Sequence, residues 1–259
     1  MESEERIEKK ASRDLFKMER ESRYLRKRSE ETETLEEVFD RSTLMTLYSM
    51  MNRGVFGYLN GVVKAGKEGR VYWGVRGKED LAVKIFYTST ASFKKRSVYI
   101  AADPRFSGIE KFGRQMIYEW VKKEFRNLRQ AEDAGVNVPH PFHAERNVLV
   151  MKFIGKGGVP APTLAEAPAV TAGDYASVVR SIVRLFREAR LVHGDLSEFN
   201  VFKSGRKTML FDFASAVDRS HPMARDFLLR DIRTVGRFFE KRGVRTLGED
   251  EVLRRAGAD

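Results

Sequence analysis

The spacing of apolar residues changes several times along the chain and predicts a mixture of helices and strands. Apolar positions three and four apart predict helices over Ser42–Met51, Met116–Glu132, Asp174–Ala189 and Pro222–Lys241. Asp174 is the expected N-cap of the third helix. Alternating or continuous apolar runs predict strands over Tyr58–Lys64, Arg70–Val75, Leu81–Phe86, Val148–Phe153, Val201–Lys203 and Thr208–Phe211.

Three segments interrupt this pattern. The first 41 residues are dense in charge and sparse in apolar residues, which predicts one or two exposed helices. The segment 87–115 has little periodicity and predicts a long loop. Its basic residues are Lys94, Lys95, Arg96, Arg105, Lys111 and Arg114. Gly155–Thr163 is rich in Gly and Pro and predicts a connection between two lobes.

The composition favours an intracellular enzyme. With 259 residues and 42% hydrophobic content, the chain can bury a substantial core. It has no Cys, which excludes disulfides and thiol chemistry and is typical of a reducing compartment. The N-terminus lacks the apolar core of a signal peptide, and no apolar run approaches the roughly 18 residues of a membrane helix. We therefore expect a soluble, cytoplasmic protein without a membrane partner.

Positive charge is concentrated after the N-terminal segment. The net charge is +11, but the first 41 residues carry −2 and the remaining 218 carry +13. Such an excess favours a polyanionic partner such as RNA, because phosphate neutralisation releases counterions. A solvated, salt-bridged surface around a nucleotide site would have the same composition. Charge alone leaves both interpretations open.

The stretch L-V-H-G-D-L-S-E-F-N contains Asp195 and Asn200, and Asp212 follows in L-F-D-F. Phosphoryl transfer needs a carboxylate to orient the attacking oxygen and oxygen ligands for Mg²⁺. These three residues suit those roles by type and spacing. Protein kinases carry H-R-D-x-x-x-x-N followed by D-F-G. Here Gly194 replaces the Arg of the first motif, and Ala214 replaces the Gly of the second.

The first predicted hairpin resembles a kinase phosphate loop. K-A-G-K-E-G-R-V places Gly66, Gly69 and Val71 on the pattern G-x-G-x-x-G-x-V, with Lys64 at the first Gly. Glycines let backbone amides approach phosphates, although an ordinary hairpin turn uses the same residues.

Lys84 and Glu124 form a predicted ion pair. Lys84 lies in L-A-V-K-I, as the phosphate-contacting Lys does in V-A-I-K of kinases, and shares a strand face with Ala82. A strand Lys can also simply reach solvent. Glu124 lies in the apolar stripe of the helix predicted from residue 116, where an unpaired carboxylate would be costly. The alternative is a stripe-edge carboxylate in water, with Glu119 a less suitable partner for Lys84.

V-L-V-M-K-F-I-G enters the Gly and Pro rich connection, as a kinase hinge does. Met151 is expected at the back of the adenine pocket, and the backbone of Lys152, Phe153 and Ile154 is expected to bind adenine. The ordered elements predict an α+β, two-lobed kinase-like fold. Its parts are a helical extension (1–55), a β-rich N-lobe with one helix (56–151), and a hinge with a helical C-lobe (152–259).

The loop H-G-D-L-S-E-F-N is similar to the signature of the RIO family of atypical kinases. Other stretches that resemble this family are K-A-G-K-E-G-R-V-Y, A-V-K-I-F-Y-T-S, W-V-K-K-E-F-R-N-L, V-L-V-M-K-F-I-G and H-P-M-A-R-D-F-L-L-R-D-I, over roughly residues 45–245. The type 2 subfamily begins with a winged-helix domain, and the N-terminal segment here is too short and charged for one. The resemblance is therefore to type 1.

This resemblance implies ATP with Mg²⁺ or Mn²⁺, Ser/Thr kinase and autophosphorylating activity, and a role in maturation of the small ribosomal subunit. It implies that Asp195 is catalytic and that Asn200 and Asp212 bind the metal. Some members are thought to act as ATPases through a phosphorylated aspartate at the position of Asp212, so both are kept as catalytic candidates. The predicted nucleotide-binding set is Val63, Lys64, Ala65, Gly66, Lys67, Glu68, Gly69, Val71, Lys84, Glu124, Met151, Lys152, Phe153, Ile154, Ser197, Glu198 and Asn200.

Two alternative functions remain open from the sequence. A small-molecule phosphotransferase, such as an aminoglycoside or choline kinase, also uses H-G-D-x-x-x-x-N, although the basic body does not suit a cationic acceptor. A ribosome assembly factor could use nucleotide only as a switch. Only 47 residues follow Asp212 and A-P-E is absent, so we expect no activation segment or peptide-docking helices. The acceptor would then be presented by the basic loop or by a ribosomal particle.

Overall fold

The computed structural model describes residues 40–88, 113–205 and 207–258. Its helices are α1 (Arg41–Asn52), α2 (Arg114–Asp133), α3 (Ala172–Arg187), α4 (Ala224–Lys241) and α5 (Glu249–Ala256). Its strands are β1 (Tyr58–Ala65), β2 (Gly69–Arg76), β3 (Glu79–Phe86), β4 (Pro141–Glu145), β5 (Val148–Lys152), β6 (Gly155–Lys156), β7 (Val159–Pro160), β8 (Leu191–Val192), β9 (Val201–Ser204), β10 (Lys207–Leu210) and β11 (Val217–Asp218). The predicted N-terminal helices before residue 40 and most of the predicted basic loop lie outside the described residues.

The first lobe is a five-stranded antiparallel sheet covered on both faces by helices. The strand order is β1-β2-β3-β5-β4. Successive residues of β3 alternate between the faces, since side chains point to opposite sides of a pleated strand. Leu81, Val83 and Ile85 belong to the apolar cluster formed with α1. Phe86 belongs to the other cluster, which contains the apolar face of α2. The predicted alternation in β3 is therefore confirmed.

The second lobe is mainly helical. α3 packs against β8 and β10, and α4 packs against β8. α5, the last helix, packs against both α3 and α4. One continuous apolar cluster joins these elements to α2 of the first lobe, through Trp120, Leu128, Phe213 and Phe227 among others. The fold is thus α+β and two-lobed, as predicted. Within the described residues, no helix is long and apolar enough to cross a membrane.

The structure corrects some predicted boundaries. The N-cap of α3 is Thr171, not Asp174, and Asp174 is the third residue of a capping box. The Asp174 carboxylate accepts from the Thr171 backbone amide at 2.7 Å, while the Thr171 hydroxyl accepts from the Asp174 amide at 3.2 Å. Both Thr and Asp are good N-cap residues, so the sequence alone allows either Thr171 or Asp174 as the N-cap of α3.

Six short elements were not predicted, namely β4, β6, β7, β8, β11 and α5. Strand β4 has the sequence P-F-H-A-E, whose two apolar positions are too few to define a strand alone; pairing with β5 stabilises it. Strands β6 and β7 form a small hairpin inside the Gly and Pro rich connection. Helix α5 is only eight residues long and buries just Val252, Leu253 and Ala256. Short elements such as these depend on tertiary contacts more than on their own periodicity.

A buried amide ties α1 to the sheet. The Asn147 side chain donates to the Thr43 hydroxyl at 2.8 Å and to the Phe86 carbonyl at 2.9 Å. Asn147 follows Arg146 in the two-residue turn between β4 and β5, and Arg146 has a left-handed backbone with φ of 49°. The turn thus supplies the donor that joins α1 on one side of the lobe to the end of β3.

Replacing Asn147 with Ala should destabilise the protein by about 2 kcal/mol, because two buried acceptors lose their donor. Urea unfolding monitored by circular dichroism measures this loss. Arg146→Gly is the matched control at the neighbouring position, where glycine relieves the left-handed strain, and it should leave stability unchanged or raise it. Equal losses for the two variants would contradict the assigned role of Asn147.

Candidate active site

The cleft between the lobes contains two adjoining cavities. The inner one, of about 330 Å³, is lined by Lys64, Gly66, Lys67, Glu68, Gly69, Val71, Lys84, Glu124, Met151, Asn200, Phe211 and Asp212. The outer one, of about 260 Å³, is mostly apolar and is lined by Val63, Lys64, Val71, Ala82, Pro139, Met151, Lys152, Phe153, Ile154, Pro160, Ala161, Thr163, Glu166, Phe202 and Phe211. The first cavity has most of the charged side chains and the second has mainly apolar ones, which suits a nucleotide with its phosphates in the first and its base in the second.

Lys84 holds two carboxylates from different parts of the chain. Its Nζ donates to both carboxylate oxygens of Glu124 at 2.9 Å and to Oδ1 of Asp212 at 2.7 Å. Strand β3 points Lys84 into the cleft, and α2 brings Glu124 to it across the sheet face. The predicted pairing of Lys84 with Glu124 is therefore confirmed. Glu119, the weaker candidate, instead accepts from Lys122 at 2.6 Å.

One ammonium group faces two carboxylates here, and Lys64 adds positive charge near Asp212. Burial alone would raise the pKa of Asp212, but Lys84 outweighs it and holds that pKa below its usual range. Burial also raises the pKa of Glu124 to about 7, with Lys84 opposing the rise. The side chain of Glu124 is 1% exposed, whereas that of Asp212 is 36% exposed. Asp212 is thus the carboxylate of the pair that an incoming cation can reach.

The loop that carries Asp195 is held from beneath by a residue outside the motif. The Asp231 carboxylate of α4 accepts from the backbone amides of Gly194 at 2.8 Å and Leu196 at 3.0 Å. Arg230 donates to the Gly194 carbonyl. Burial raises the pKa of Asp231 to about 7, and the two amide hydrogen bonds oppose that rise. Asp195 itself lies between these anchors and is exposed.

Sequence reasoning did not assign Asp231 a role, although the signal was present. It lies three residues after Leu228 and four before Val235, on the buried stripe of α4. A carboxylate in an apolar stripe needs a partner, which is the argument that identified Glu124. The partner in this case is a pair of backbone amides, and amides carry no sequence signature.

The segment around Asp212 is also fixed by backbone contacts. The Phe211 amide donates to the Asn200 carbonyl at 3.0 Å, and His193 Nε2 donates to the Phe211 carbonyl at 3.0 Å. Asp212 has φ of 65° and ψ of 63°, a left-handed conformation that is unfavourable for a residue with a side chain. Burial lowers the pKa of His193 to about 4, so the ring is neutral at pH 7.

The oxygen donors beside Asp212 fit a Mg²⁺ ion. Asn200 commits its amide nitrogen to the Asp195 carbonyl at 2.8 Å, which leaves its side-chain oxygen for a ligand. No group of three or more His, Cys, Asp or Glu side chains in the described part of the chain is arranged to hold a metal. Mg²⁺ commonly takes only one or two protein carboxylates and completes its shell with water and phosphate. The side-chain oxygen of Asn200 and the carboxylate of Asp212 match this kind of Mg²⁺ coordination.

The predicted phosphate loop is the turn between β1 and β2. The Gly66 amide donates to the Gly69 carbonyl at 2.9 Å, which closes the turn. A Cβ atom at Gly69 would lie 2.1 Å from the Ile85 carbonyl oxygen, so only glycine fits there. Gly66 has ordinary space around it. The glycine at residue 69 is therefore required by the close approach of β3.

The hinge offers fewer backbone donors than the sequence suggested. The Lys152 amide donates to the His140 carbonyl at 2.8 Å, and the Phe153 amide donates to the Asp80 carbonyl at 3.2 Å. Within residues 40–88, 113–205 and 207–258, no backbone carbonyl accepts a hydrogen bond from the Ile154 amide. Of the three predicted hinge residues, Ile154 is therefore the one whose backbone amide can donate to the base of a nucleotide.

Most, but not all, of the predicted nucleotide-binding residues line the two cavities. Ala65, Ser197 and Glu198 do not, nor does the catalytic candidate Asp195. The structure adds residues that sequence reasoning missed, namely Ala82, Pro139, Pro160, Ala161, Thr163, Glu166, Phe202 and Phe211. The rings of Phe202 and Phe211 stack at 4.0 Å and form one wall of the outer cavity. The sequence predicted the two strands, but it did not predict which of their side chains face the cleft.

Comparisons with known proteins agree with this geometry. A family profile described as RIO domain matches residues 70–252. The chain is 40% identical over 220 residues to the RIO-type serine/threonine-protein kinase Rio1 of Methanocaldococcus jannaschii, covering 85% of this chain and 76% of that protein. It is 36% identical over 226 residues to the human serine/threonine-protein kinase RIO1, covering 85% and 40%. It thus spans three quarters of the archaeal relative and less than half of the human one.

A solved structure has a similar fold at lower sequence identity. It is the Rio2 kinase of Chaetomium thermophilum in an ADP/Mg²⁺-phosphoaspartate complex, with a TM-score of 0.63 and 22% identity. The match covers 83% of this chain and 66% of that chain. At this identity the likeness supports the two-lobed fold alone.

The neutral state of His193 predicts an acid-sensitive fold. In the unfolded chain a histidine takes a proton below about pH 6.5, whereas the buried ring does so only near pH 4. The unfolded state therefore gains protons first, and stability should fall by about 2 kcal/mol between pH 7 and pH 5 from this residue. His193→Gln keeps a donor for the Phe211 carbonyl but does not titrate, so denaturant unfolding should show a shallower loss. An unchanged loss would contradict the assignment.

Proposed function

The chain belongs to the RIO family of serine/threonine-protein kinases, as a RIO1-type member, and we propose that it transfers the γ-phosphoryl group of ATP to a serine or threonine hydroxyl. The observation that carries this proposal is Lys84, bound at once to Glu124 and Asp212 at the floor of the cleft. A lysine held in this way, with its charge directed at the phosphate chamber, is the arrangement that active kinases use.

Asp195 is the residue we assign to the acceptor. Asp195 is exposed, and the backbone amides of the residues before and after it, Gly194 and Leu196, donate to Asp231. A fixed carboxylate can accept a hydrogen bond from the acceptor hydroxyl and take its proton as the oxygen bonds to phosphorus. The bond from that phosphorus to the bridging oxygen breaks, and ADP leaves with the electron pair.

The residues that would hold Mg²⁺ are Asp212, through its carboxylate, and Asn200, through its side-chain oxygen. When bound, Mg²⁺ neutralises charge on the nucleotide phosphates. Lys84 keeps Asp212 ionised and therefore ready to bind a cation. The amides of the turn at Gly66–Gly69 would face the phosphates, and the apolar outer cavity would hold the base, with the Ile154 amide as its donor. We infer ATP with Mg²⁺, or Mn²⁺, as the bound species.

A second activity is ATP hydrolysis through a phosphorylated Asp212. The observation in its favour is the 36% exposure of this carboxylate on the wall of the phosphate chamber. An Asp212 oxygen would bond to the γ-phosphorus as ADP leaves, and water would later release phosphate from the acyl phosphate. The Rio2 kinase of Chaetomium thermophilum, which has a similar fold, was itself solved as a phosphoaspartate complex.

We further propose that the acceptor or partner is a pre-ribosomal small subunit, met in the cytoplasm. The support is the resemblance to the RIO family and the charge of +13 beyond residue 41. Between Asp212 and the start of α4, the described chain has only a short 3₁₀ turn and β11, with no room for a peptide-docking platform. Because its relatives are protein kinases, the small-molecule phosphotransferase alternative loses its support. A nucleotide-switched assembly factor is the competing function to test.

Asp195→Ala and Asp212→Ala should separate catalysis from binding. Asp195→Ala should lower turnover by roughly a hundredfold or more while leaving the Kd for Mg²⁺-ATP within about threefold of wild type. Asp212→Ala should also weaken that Kd by about tenfold or more, because it removes a metal ligand. Isothermal titration calorimetry and steady-state kinetics measure the two effects. Equal losses of affinity in both variants would contradict the division of roles.

The same two variants test the switch function. If both variants still bind pre-ribosomal particles and support their maturation, the chemistry is dispensable and the protein acts as a nucleotide switch. If maturation stops in Asp195→Ala, which keeps its affinity for Mg²⁺-ATP, phosphoryl transfer or hydrolysis is required.

Phosphorylation of Asp212 predicts a chemically distinct product. Incubation with γ-labelled ATP should label the protein with a bond that hydroxylamine cleaves, since acyl phosphates react with it and phosphoserine does not. Asp212→Asn should abolish this label, whereas Ser and Thr autophosphorylation would give a hydroxylamine-resistant label. Absence of any labile label in a rapid-quench experiment would contradict the second activity.

A further inference from the structure

Two fully buried polar side chains of α2 donate hydrogen bonds to the backbone that follows Asp212. Lys123 Nζ donates to the Ala214 carbonyl at 2.8 Å and to the Ala216 carbonyl. Asn127 Nδ2 donates to the Phe213 carbonyl at 2.9 Å and to the Ala216 carbonyl at 3.0 Å. Both side chains have zero exposure. Three carbonyls in and just after the 3₁₀ turn that follows Asp212 are thus bonded to a helix of the other lobe.

A buried lysine directed at backbone carbonyls is a costly feature. Removing an ammonium group from water costs several kcal/mol unless strong hydrogen bonds replace the water. Helices normally bury apolar residues at such positions, and Lys123 has apolar neighbours in Trp120 and Val121. The ring of Trp120 lies 5.2 Å from its Nζ. The fold keeps a polar donor at this position, where methionine or leucine would pack with less cost.

The first of these carbonyls, that of Phe213, comes one residue after Asp212, whose backbone is left-handed. A left-handed backbone costs about 1–2 kcal/mol for most residues with a side chain and less for Asp and Asn. On its N-terminal side, the Phe211 carbonyl is fixed by His193 and the Phe211 amide by Asn200. On its C-terminal side, Asn127 and Lys123 fix the carbonyls of residues 213, 214 and 216. The strain persists because the backbone is fixed on both sides.

The same helix also carries Glu124. Asn127 is four residues from Lys123 and three from Glu124, so it is a neighbour of both on the helix surface. Glu124 reaches Asp212 through Lys84, whereas Lys123 and Asn127 reach it through the backbone. One rigid helix therefore positions the Asp212 carboxylate by two independent routes.

We propose that Lys123 and Asn127 are positioning residues that impose the left-handed conformation of Asp212 and so present its carboxylate to the metal of the bound nucleotide. This inference rests on the proposed function of the site. It adds that α2 is locked to the second lobe. The apolar cluster of α2 is continuous with that of the second lobe, so moving the helix would break carbonyl contacts and apolar packing together. The metal site is thereby assembled before nucleotide arrives.

The test compares metal-dependent with metal-independent binding. Lys123→Met removes the donor and keeps the length of the side chain, and Asn127→Leu removes the donor and keeps the shape. Lys122→Met is the matched control, because this adjacent lysine is 45% exposed and binds Glu119 instead. Calorimetry gives the Kd for ADP with Mg²⁺ and with a chelator. Thermal unfolding without ligand shows whether each variant folds cooperatively.

Each of the two donor variants should bind Mg²⁺-ADP about tenfold more weakly than wild type, with metal-free ADP within about twofold, and Lys122→Met should match wild type. In an Asp212→Asn background, Lys123→Met should add less than about twofold, since a residue that acts through Asp212 has nothing left to position.

Several outcomes would overturn the inference. These are equal losses of ADP affinity with and without Mg²⁺, additive effects in the double variant, unchanged binding in both donor variants, or failure of both to fold, which would make the contacts structural only. If wild type itself shows no Mg²⁺-dependent gain in ADP affinity, the proposed function of the site fails instead.

Discussion

The structure depends on one buried ammonium group that two carboxylates share. Lys84, Glu124 and Asp212 come from a strand, a helix and a loop that are far apart in sequence. Because a buried charge without a partner is costly, these three elements are stable only in the arrangement that brings the charges together. The pairing therefore defines the depth of the cleft, the placement of α2 on the sheet and the position of the loop after β10.

The exposure of Asp212 is what opens this cluster of charges to a ligand. Asp212 is the more exposed of the two carboxylates, and Lys84 holds its pKa below the usual range, so it is ionised. The chamber around it is lined by three lysines, Lys64, Lys67 and Lys84, and by three acidic residues, Glu68, Glu124 and Asp212. The lysines suit a phosphate, and the Asp212 carboxylate with the side-chain oxygen of Asn200 suits a metal ion.

Buried residues to which the sequence assigned no role in the site hold Asp195 and Asp212 in place. Asp231 fixes the backbone around Asp195, and His193 fixes the carbonyl before Asp212. Lys123 and Asn127 fix the carbonyls after it. In each case the partner is a backbone amide or carbonyl. The catalytic groups lie on short irregular segments, and buried polar side chains from regular helices and strands give those segments their rigidity.

The second lobe is short in the region where other protein kinases bind peptides. After Asp212 the described chain passes through a 3₁₀ turn and β11 and enters α4 at Ala224. The surface beside Asp195 is left open, and the exposed ring of Phe199 lies on it. An acceptor would therefore be held by surfaces of its own carrier rather than by a groove of this chain. This agrees with the large basic surplus of the body.

The sequence by itself determined the chemistry, because side-chain type and spacing carry it. Asp195, Asn200 and Asp212 were identifiable from their motif, and Lys84 and Glu124 from their place in apolar patterns. It did not reveal α5, the hairpin in the hinge, or the roles of Asp231 and Lys123. Their partners are backbone groups and packing surfaces that every residue type can supply. Only the tertiary structure decides which amide or carbonyl lies within 3 Å of a given side chain, and that placement turns a motif into a rigid site.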